Sequence, residues 1–317
     1  MRKPCHADQV ISVIGTNTPA LSALAASWRR SASLHGLDPA EHGTPRILTA
    51  QEFQAARQPL EPLIAAAQES LDRLYAAVGG AGCCVLLANT DGVPLERRGA
   101  VSDENTFRRW GLWTGADWSE RHEGTNGIGT CIAEGRQVAV DRDQHFHSRN
   151  IGLSCMAAPI FDHEGRLAAA LDVSSCRADL TSGFAQLISI AVADAAHRIE
   201  AGNFRSSFAH DRVLLLGAPD RAGSALVAVD ADELVVGATR SARAMFGITS
   251  ARLREGLPVA DLIGGETHGE FEKAQRGAVQ RALARSHGNV SAAAQALGVS
   301  RATLHRKLKR LGCGRLH

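Results

Sequence analysis

Near the end of the chain two helical stretches with apolar periodicity, Val290 to Leu297 and Ser300 to Leu311, are separated only by Gly298-Val299. So short a connection forces the helices to cross steeply, and no other feature of the sequence restricts the fold as tightly. Gly298 suits a left-handed C-terminal cap, and Ser300 suits an N-cap whose hydroxyl accepts a hydrogen bond from a free amide of the next helix. Ala292, Ala293 and Ala294 supply the small side chains that permit close approach. Leu297, Val299, Leu304, Leu308 and Leu311 supply the buried face. A preceding helix, Phe271 to Ser286, ended by His287-Gly288-Asn289, completes a three-helix module. With the leucines inward, Arg301, Ala302, His305, Arg306 and Lys309 fall on the opposite face.

Charge gives that face a purpose. The whole chain carries only +2, but from Phe271 to His317 ten Lys or Arg meet one acid, Glu272, so this tail holds +9 and the remainder −7. A small basic module on a mildly acidic body is the electrostatic footprint of a double-stranded DNA binder. The guanidinium of Arg301 or Arg306 suits paired hydrogen bonds to guanine and Ala302 suits a thymine methyl. Lys307, Lys309 and Arg310 suit phosphates, and Ser300, Thr303 and His305 complete the expected DNA contacts. A merely solvated basic helix accounts for the charge but not for the coincidence of cap, alanine triplet and glycine turn.

Upstream, helical spacing runs from about Thr18 through Leu21, Leu24, Ala25 and Trp28, with Pro19 near its start, until Gly36, Pro39 and Gly43 break it. A longer helix from about Thr49 to Val78, interrupted by Pro59 and Pro62, reads as a stalk. The period then changes. Cys83 to Ala88 is an apolar strand ending in the turn Asn89-Thr90-Asp91-Gly92, and Arg136 to Val140 is a further strand. Ala157 to Phe161 and Leu167 to Ser174 flank Asp162-His163-Glu164-Gly165 as a hairpin. Helical spacing returns from Leu180 to about His210. This predicts an α+β fold, an antiparallel sheet with helices on one face. A second, smaller strand-rich unit follows, with Ala225 to Asp230, Leu234 to Gly237 and a helix from Ser241 to Phe246. Gly264 to Gly269 reads as a linker.

No run approaches the ~18 to 20 apolar residues of a membrane span, and the first residues lack a signal-peptide core, which places the expected site of action in the cytoplasm. Seven cysteines show neither disulfide-scaffold density nor a CxxC pair, so reduced thiols are expected. Asp141, Asp143, His145, His147 and Cys155 lie close in sequence, and imidazole with thiolate suits iron or zinc. The main metal candidates are His145, His147 and Cys155, but a His-x-His loop is common without metal and Cys155 precedes an apolar strand. Gly124-Thr125-Asn126-Gly127-Ile128-Gly129 lacks GxGxxG spacing and a preceding βαβ strand, so it reads as a structural turn and not a nucleotide loop. Phe107, Trp110, Trp113 and Trp118 form an aromatic cluster. No GxSxG elbow or other catalytic constellation is present, so neither enzymatic activity nor a cofactor is expected.

Two stretches carry resemblances. Gly288 to Leu308 (Gly-Asn-Val-Ser-Ala-Ala-Ala-Gln-Ala-Leu-Gly-Val-Ser-Arg-Ala-Thr-Leu-His-Arg-Lys-Leu) resembles the Fis-type helix-turn-helix of bacterial enhancer-binding regulators, which implies pairing as a homodimer through the helix Phe271 to Ser286. Trp113 to Thr130, with its Arg-His-Glu-Gly-Thr-Asn-Gly-Ile-Gly core, and Leu153 to Phe161 resemble the GAF sensor domain of acetoin-catabolism regulators. Ser27-Trp28-Arg29-Arg30 and His35-Gly36-Leu37-Asp38-Pro39 look like the helical lead-in of that family. Gly237 to Arg243 is similar to a degenerate PAS domain. The expected organisation is therefore a helical lead-in (1–78), a GAF domain (79–205), a PAS-like unit (211–265) and a helix-turn-helix (270–317).

For the GAF domain, the resemblance implies an effector pocket walled by Phe107, Trp110, Trp113, Trp118, Asn126, Cys131 and Cys155. Full-length relatives also insert an ATPase domain with a GxxxxGK[ST] loop and a contact loop for the sigma-54 polymerase, and neither is present here. The expected function is a ligand-responsive transcription regulator working without ATP hydrolysis, with DNA, a small effector and RNA polymerase as partners. The rival readings are a constitutive architectural DNA-binding protein and a redox or metal sensor.

Overall fold

The computed structural model describes residues 5–15, 23–216, 225–263, 270–286 and 288–310. The chain forms two compact units, Met1–Leu257 and Pro258–His317. The first opens with α1 (His6–Ile14), which the sequence reading did not anticipate, and α2 (Ala23–Ser33), which takes up Leu24, Ala25 and Trp28. Pro19 and Leu21 lie outside the described residues.

α3 (Ala50–Arg57) starts at a capping box between Thr49 and Glu52, and α4 (Glu61–Val78) follows after a 3-10 turn at Gln58–Leu60. Pro59 and Pro62 thus do interrupt the long helix, because each lacks an amide to donate. α4 is not a stalk, however. Its stripe Leu63, Ile64, Ala67, Leu71, Leu74 and Val78 is buried in the main core, as expected for an amphipathic helix with a sheet to cover.

That sheet is built from β1 (Cys83–Asn89), β2 (Pro94–Arg98), β3 (Val138–Asp141), β4 (Ser154–Phe161) and β5 (Leu167–Ser175), in the order β2-β1-β5-β4-β3. Every neighbouring pair is antiparallel. Between β2 and β3 lie α5 (Glu104–Arg109), α6 (Glu120–Glu123) and α7 (Gly127–Glu134), and after β5 comes the long α8 (Ser182–Ser207). The Asn89 side chain accepts from the amides of Asp91 and Val93, closing the β1–β2 turn, where Gly92 takes a φ of +82°. β2 escaped the sequence reading because Glu96-Arg97-Arg98 carries no apolar alternation.

Both faces of the sheet are covered, so the expectation of helices on one face holds only for the long ones. On one face Cys83, Val85 and Leu87 of β1, Met156, Ala158 and Ile160 of β4, and Ala169, Leu171 and Val173 of β5 meet α4 and α8. On the other, Cys84, Leu86 and Ala88, with Cys155, Ala157 and Ala170, meet α5, α7 and their connecting loops through Phe107, Leu112, Trp118, Ile128 and Cys131. The strand period of two sorts the side chains between the faces.

A second, four-stranded sheet follows in the first unit: β6 (Arg212–Leu215), β7 (Leu226–Val229), β8 (Leu234–Ala238) and, after α9 (Arg240–Phe246) and α10 (Ser250–Glu255), β9 (Leu257–Pro258), a two-residue edge at which the unit ends. Its core joins the end of α8 through Ala201, Phe204, Leu226 and Ala228. The second unit holds α11 (Glu270–Arg285), α12 (Val290–Ala296) and α13 (Arg301–Arg310), around a core of Val279, Ala282, Ala293, Ala294 and Leu304. No helix among the described residues is long and apolar enough to cross a membrane.

Candidate functional site

The α13 surface assembles from local signals. Gly298 takes a φ of +62°, and the Ser300 hydroxyl accepts from the Thr303 amide at 3.1 Å, so both expected caps form. Asn289 adds a cap the sequence reading passed over, accepting from the amides of Ser291 and Ala292. Leu304 is buried, with Leu297, Val299 and Leu308 packed beside it, while Arg301, Ala302, His305 and Arg306 are exposed and Thr303 and Lys307 half-buried. Ser300 is exposed at the turn. Leu311, Cys313 and the side chains of Lys309 and Arg310 lie outside what is described. Four exposed side chains thus share one face of a short helix, two of them arginines.

The effector candidates fall largely into one interior. Phe107, Trp118, Cys131 and Cys155 are buried together on the loop-covered face of the first sheet, with Trp110 packed against them. Asn126 is buried as the N-cap of α7: its carbonyl accepts from the Gly129 amide, and its amide donates to the carbonyls of Trp118 and Gly124. It therefore shapes the wall. Gly124 has φ +60° and ψ −152°, a region almost reserved for glycine, and the glycine turn is structural, as expected. Trp113 stands apart, half-buried, with the guanidinium carbons of Arg97 and Arg108 at 4.2 and 3.5 Å from its ring centroid.

The sequence reading missed the chemical centre of this interior. Asp172 of β5 is fully buried; its Oδ2 accepts from the Ser174 hydroxyl at 2.6 Å, and its Oδ1 has no hydrogen-bond partner. Burial drives its carboxyl up from 3.8 to about 7, despite the Ser174 hydrogen bond. Ser174 also reaches Cys155 Sγ at 3.1 Å, and Cys155 Sγ lies 3.4 Å from His145 Nε2. A β-carbon at Gly127 would come within 2.6 Å of both Asp172 Oδ1 and the Cys155 β-carbon, so the first turn of α7 must be glycine. The available signal was an acid interrupting the apolar alternation of β5.

The metal candidates do not converge. His145 meets Cys155, but His147 Nδ1 turns to the Asp38 carbonyl at 3.1 Å and Asp141 is bonded to Ser154. No group of three His, Cys, Asp or Glu capable of holding a metal occurs among the described residues. Burial lowers His145 to about 4 and raises the Cys131 and Cys155 thiols far above their ordinary value, which leaves these thiols poor nucleophiles.

The lead-in helices hold the covering layer in place. Trp28 Nε1 donates to the Gln144 carbonyl, and Val10, Trp28 and Phe146 form a small core of their own. Arg30 pairs with the buried Glu120, which also accepts from Ser27 and Thr130.

A GAF domain profile matches residues 62–199, and a profile described as bacterial regulatory protein, Fis family, matches residues 270–311. The chain is 36% identical over 228 residues to the acetoin catabolism regulatory protein of Cupriavidus necator, covering 69% of this chain and 34% of that protein. It is 28% identical over 151 residues to the acetoin dehydrogenase operon transcriptional activator AcoR of Bacillus subtilis, covering 48% of this chain and 25% of that one. The chain thus spans between a quarter and about a third of the length of these curated relatives. The crystal structure of the E. coli DhaR(N)–DhaL complex shares the fold at a TM-score of 0.52 and 15% identity, covering 72% of this chain and 77% of that one. This chain therefore joins a GAF domain to a Fis-type helix-turn-helix, and acetoin catabolism regulators are among its homologues.

Proposed function

We propose that this protein is a transcription regulator in which the GAF interior binds a small-molecule effector and α13 enters the major groove of double-stranded DNA. The observation that carries the reading is the exposed face Arg301, Ala302, His305 and Arg306, set opposite buried Leu304 on a helix capped by Ser300. Arg301 and Arg306 read bases, and Lys307, Lys309 and Arg310 contact phosphate. The protein acts as a homodimer whose two copies engage half-sites about 34 Å apart. The second sheet is a reduced PAS-like unit between sensor and reader.

Regulation in this reading proceeds without ATP hydrolysis. The sequence contains no GxxxxGK[ST] loop, and residues 200–269, between the two matched regions, are occupied where described by the end of α8 and the second sheet. The protein then recruits RNA polymerase or competes with it. Effector binding shifts the DNA-binding equilibrium only by its differential affinity for the two states.

Mapping of genomic binding sites, followed by titration of the recovered operator, tests this. Arg301→Ala or Arg306→Ala should weaken operator binding by about 1–3 kcal/mol and relax base preference at particular positions. Retention of full sequence preference by both variants would overturn the assignment of the reading face.

A further inference from the structure

The layer of short helices and loops over the GAF sheet carries a cleft on its outer side. Thr44 and Pro45 of the lead-in line it together with Arg109 and Trp110 at the end of α5 and Arg149 and Asn150 from the segment between β3 and β4. Its volume is about 310 Å³, at the lower end of the range for small-molecule sites. Thr44 and Arg109 are exposed, so the cleft opens to solvent, and none of the buried effector candidates Phe107, Trp118, Asn126, Cys131 and Cys155 lines it.

Its apolar walls are fixed by close packing. A β-carbon at Gly111, which has a φ of +73°, would fall 2.6 Å from the Pro45 ring, and one at Gly152 would fall 2.7 Å from the Trp110 indole. Its polar end is fixed by a buried acid. Glu123 accepts from Arg149 Nη2 at 2.7 Å through one carboxylate oxygen and from Asn150 Nδ2 at 3.0 Å through the other. Arg149 Nη1 donates to the Glu41 carbonyl at 3.3 Å, so this guanidinium is held from two sides while three of its five N–H groups stay uncommitted. Its Nε is buried without a hydrogen-bond partner. A side chain locked by a supporting acid is pre-organised for binding, because its rotamer entropy is already lost on folding.

Arg109 is the opposite case. It is exposed and, among the described residues, has neither a hydrogen-bond nor an ion-pair partner. Arg149 and Glu123 cancel, so Arg109 leaves the cleft with one excess positive charge, which matches a carboxylate better than a phosphate group of nearly two negative charges. Guanidinium groups grip carboxylates in a planar fork, and an indole wall favours a flat ring.

We infer that this cleft binds a small aromatic monocarboxylate of one ring, its carboxylate held by Arg149 and Arg109 and its ring against Trp110 and Pro45. The cleft is separate from the interior proposed for the effector, and neither assignment depends on the other.

The test is calorimetric titration of the full-length protein with benzoate, with acetate, neutral benzamide and inorganic phosphate as comparisons. Benzoate should bind about ten-fold tighter than each of the three, the worth of one charge-assisted contact or one apolar wall. Arg109→Ala removes a side chain bonded to nothing else and should weaken benzoate about ten-fold with no change in melting temperature. Thr44→Trp fills the cleft from an exposed position and should abolish benzoate binding, again with an unchanged melting temperature. Absence of benzoate binding, equal or tighter binding of benzamide, acetate or phosphate, or a benzoate affinity indifferent to either substitution would overturn the assignment. Each of these results leaves the effector interior and the DNA-reading face to be judged on their own tests.

Discussion

The two faces of the GAF sheet are built from the same strands and have opposite characters. The face under α4 and α8 buries an apolar set in which Leu71, Val85, Ile160, Leu171 and Val192 are at most 1% exposed. The face under α5–α7 is as deeply buried but holds Asp172, Ser174, Cys155 and the orphaned atoms of Arg97. One face supplies stability through apolar burial, and the other gives some of it up to keep polar groups away from water. The unpartnered Oδ1 of Asp172 is the kind of buried polar atom that the helix-covered face does not carry on its strands.

The sharpest way to break the contrast is to move the acid one residue. Leu171→Asp places a carboxylate on the helix face beside α4 and α8, costing about 2–5 kcal/mol in lost packing and several more in uncompensated desolvation. This should leave no folded GAF domain, as read by circular dichroism and loss of soluble protein. Cooperative folding of Leu171→Asp at pH 8 would mean that the two faces differ less than their contents suggest.

Next in size is the pH response of Asp172. Its folded carboxyl titrates near 7 against an ordinary 3.8, so the folded state holds a proton that the unfolded state releases, and stability falls as pH rises from about 4 to about 7. The full effect is about 4 kcal/mol. Glu200, raised to about 7 by burial, adds a slope of the same sign. His145, lowered to about 4, adds the opposite slope, its contribution being lost as pH falls from about 6.5 to about 4. The difference between wild type and Asp172→Asn isolates the aspartate. In denaturant titrations Asp172→Asn should gain on wild type with rising pH across that window, and parallel curves would refute the buried-acid account.

The smallest effect is expected at Ser174. Its hydroxyl donates to Asp172 Oδ2 and holds that carboxyl below where burial alone would put it. Ser174→Ala should cost about 1 kcal/mol and move the Asp172 midpoint higher, visible as an upward shift of the stability transition. A downward shift would show that the hydroxyl does not donate to the carboxylate.

The same contrast governed what could be read in advance. The helix face was legible because Val85, Leu87, Leu171 and Val173 sit in strands with strong apolar patterns, and β1, β4 and β5 all formed close to where those patterns place them. The aromatic residues of the other face were found, since Phe107 and Trp118 stand out by type. Its polar pair was not. Arg97 sits in a strand with no apolar alternation, and Asp172, an acid inside the apolar run of β5, was read past. α4 was misplaced as a stalk because a buried stripe cannot be told from an exposed one until the surface it covers is known.

For α11–α13 the sequence by itself determined nearly everything described: the caps at Gly298 and Ser300, the inward leucines and the exposed arginines all arise within a turn or two of one another, and backbone sterics with helical period decide such local features. The tertiary structure alone decided the polar interior of the GAF domain. β-pairing brings Arg97, Leu86 and Asp172 into one row from three strands, and α7 is laid over them by a glycine turn whose need is set by Asp172 and Cys155 beneath it. Register is a property of strands in a sheet, so no single strand carries the information of which residues two strands away will share its row.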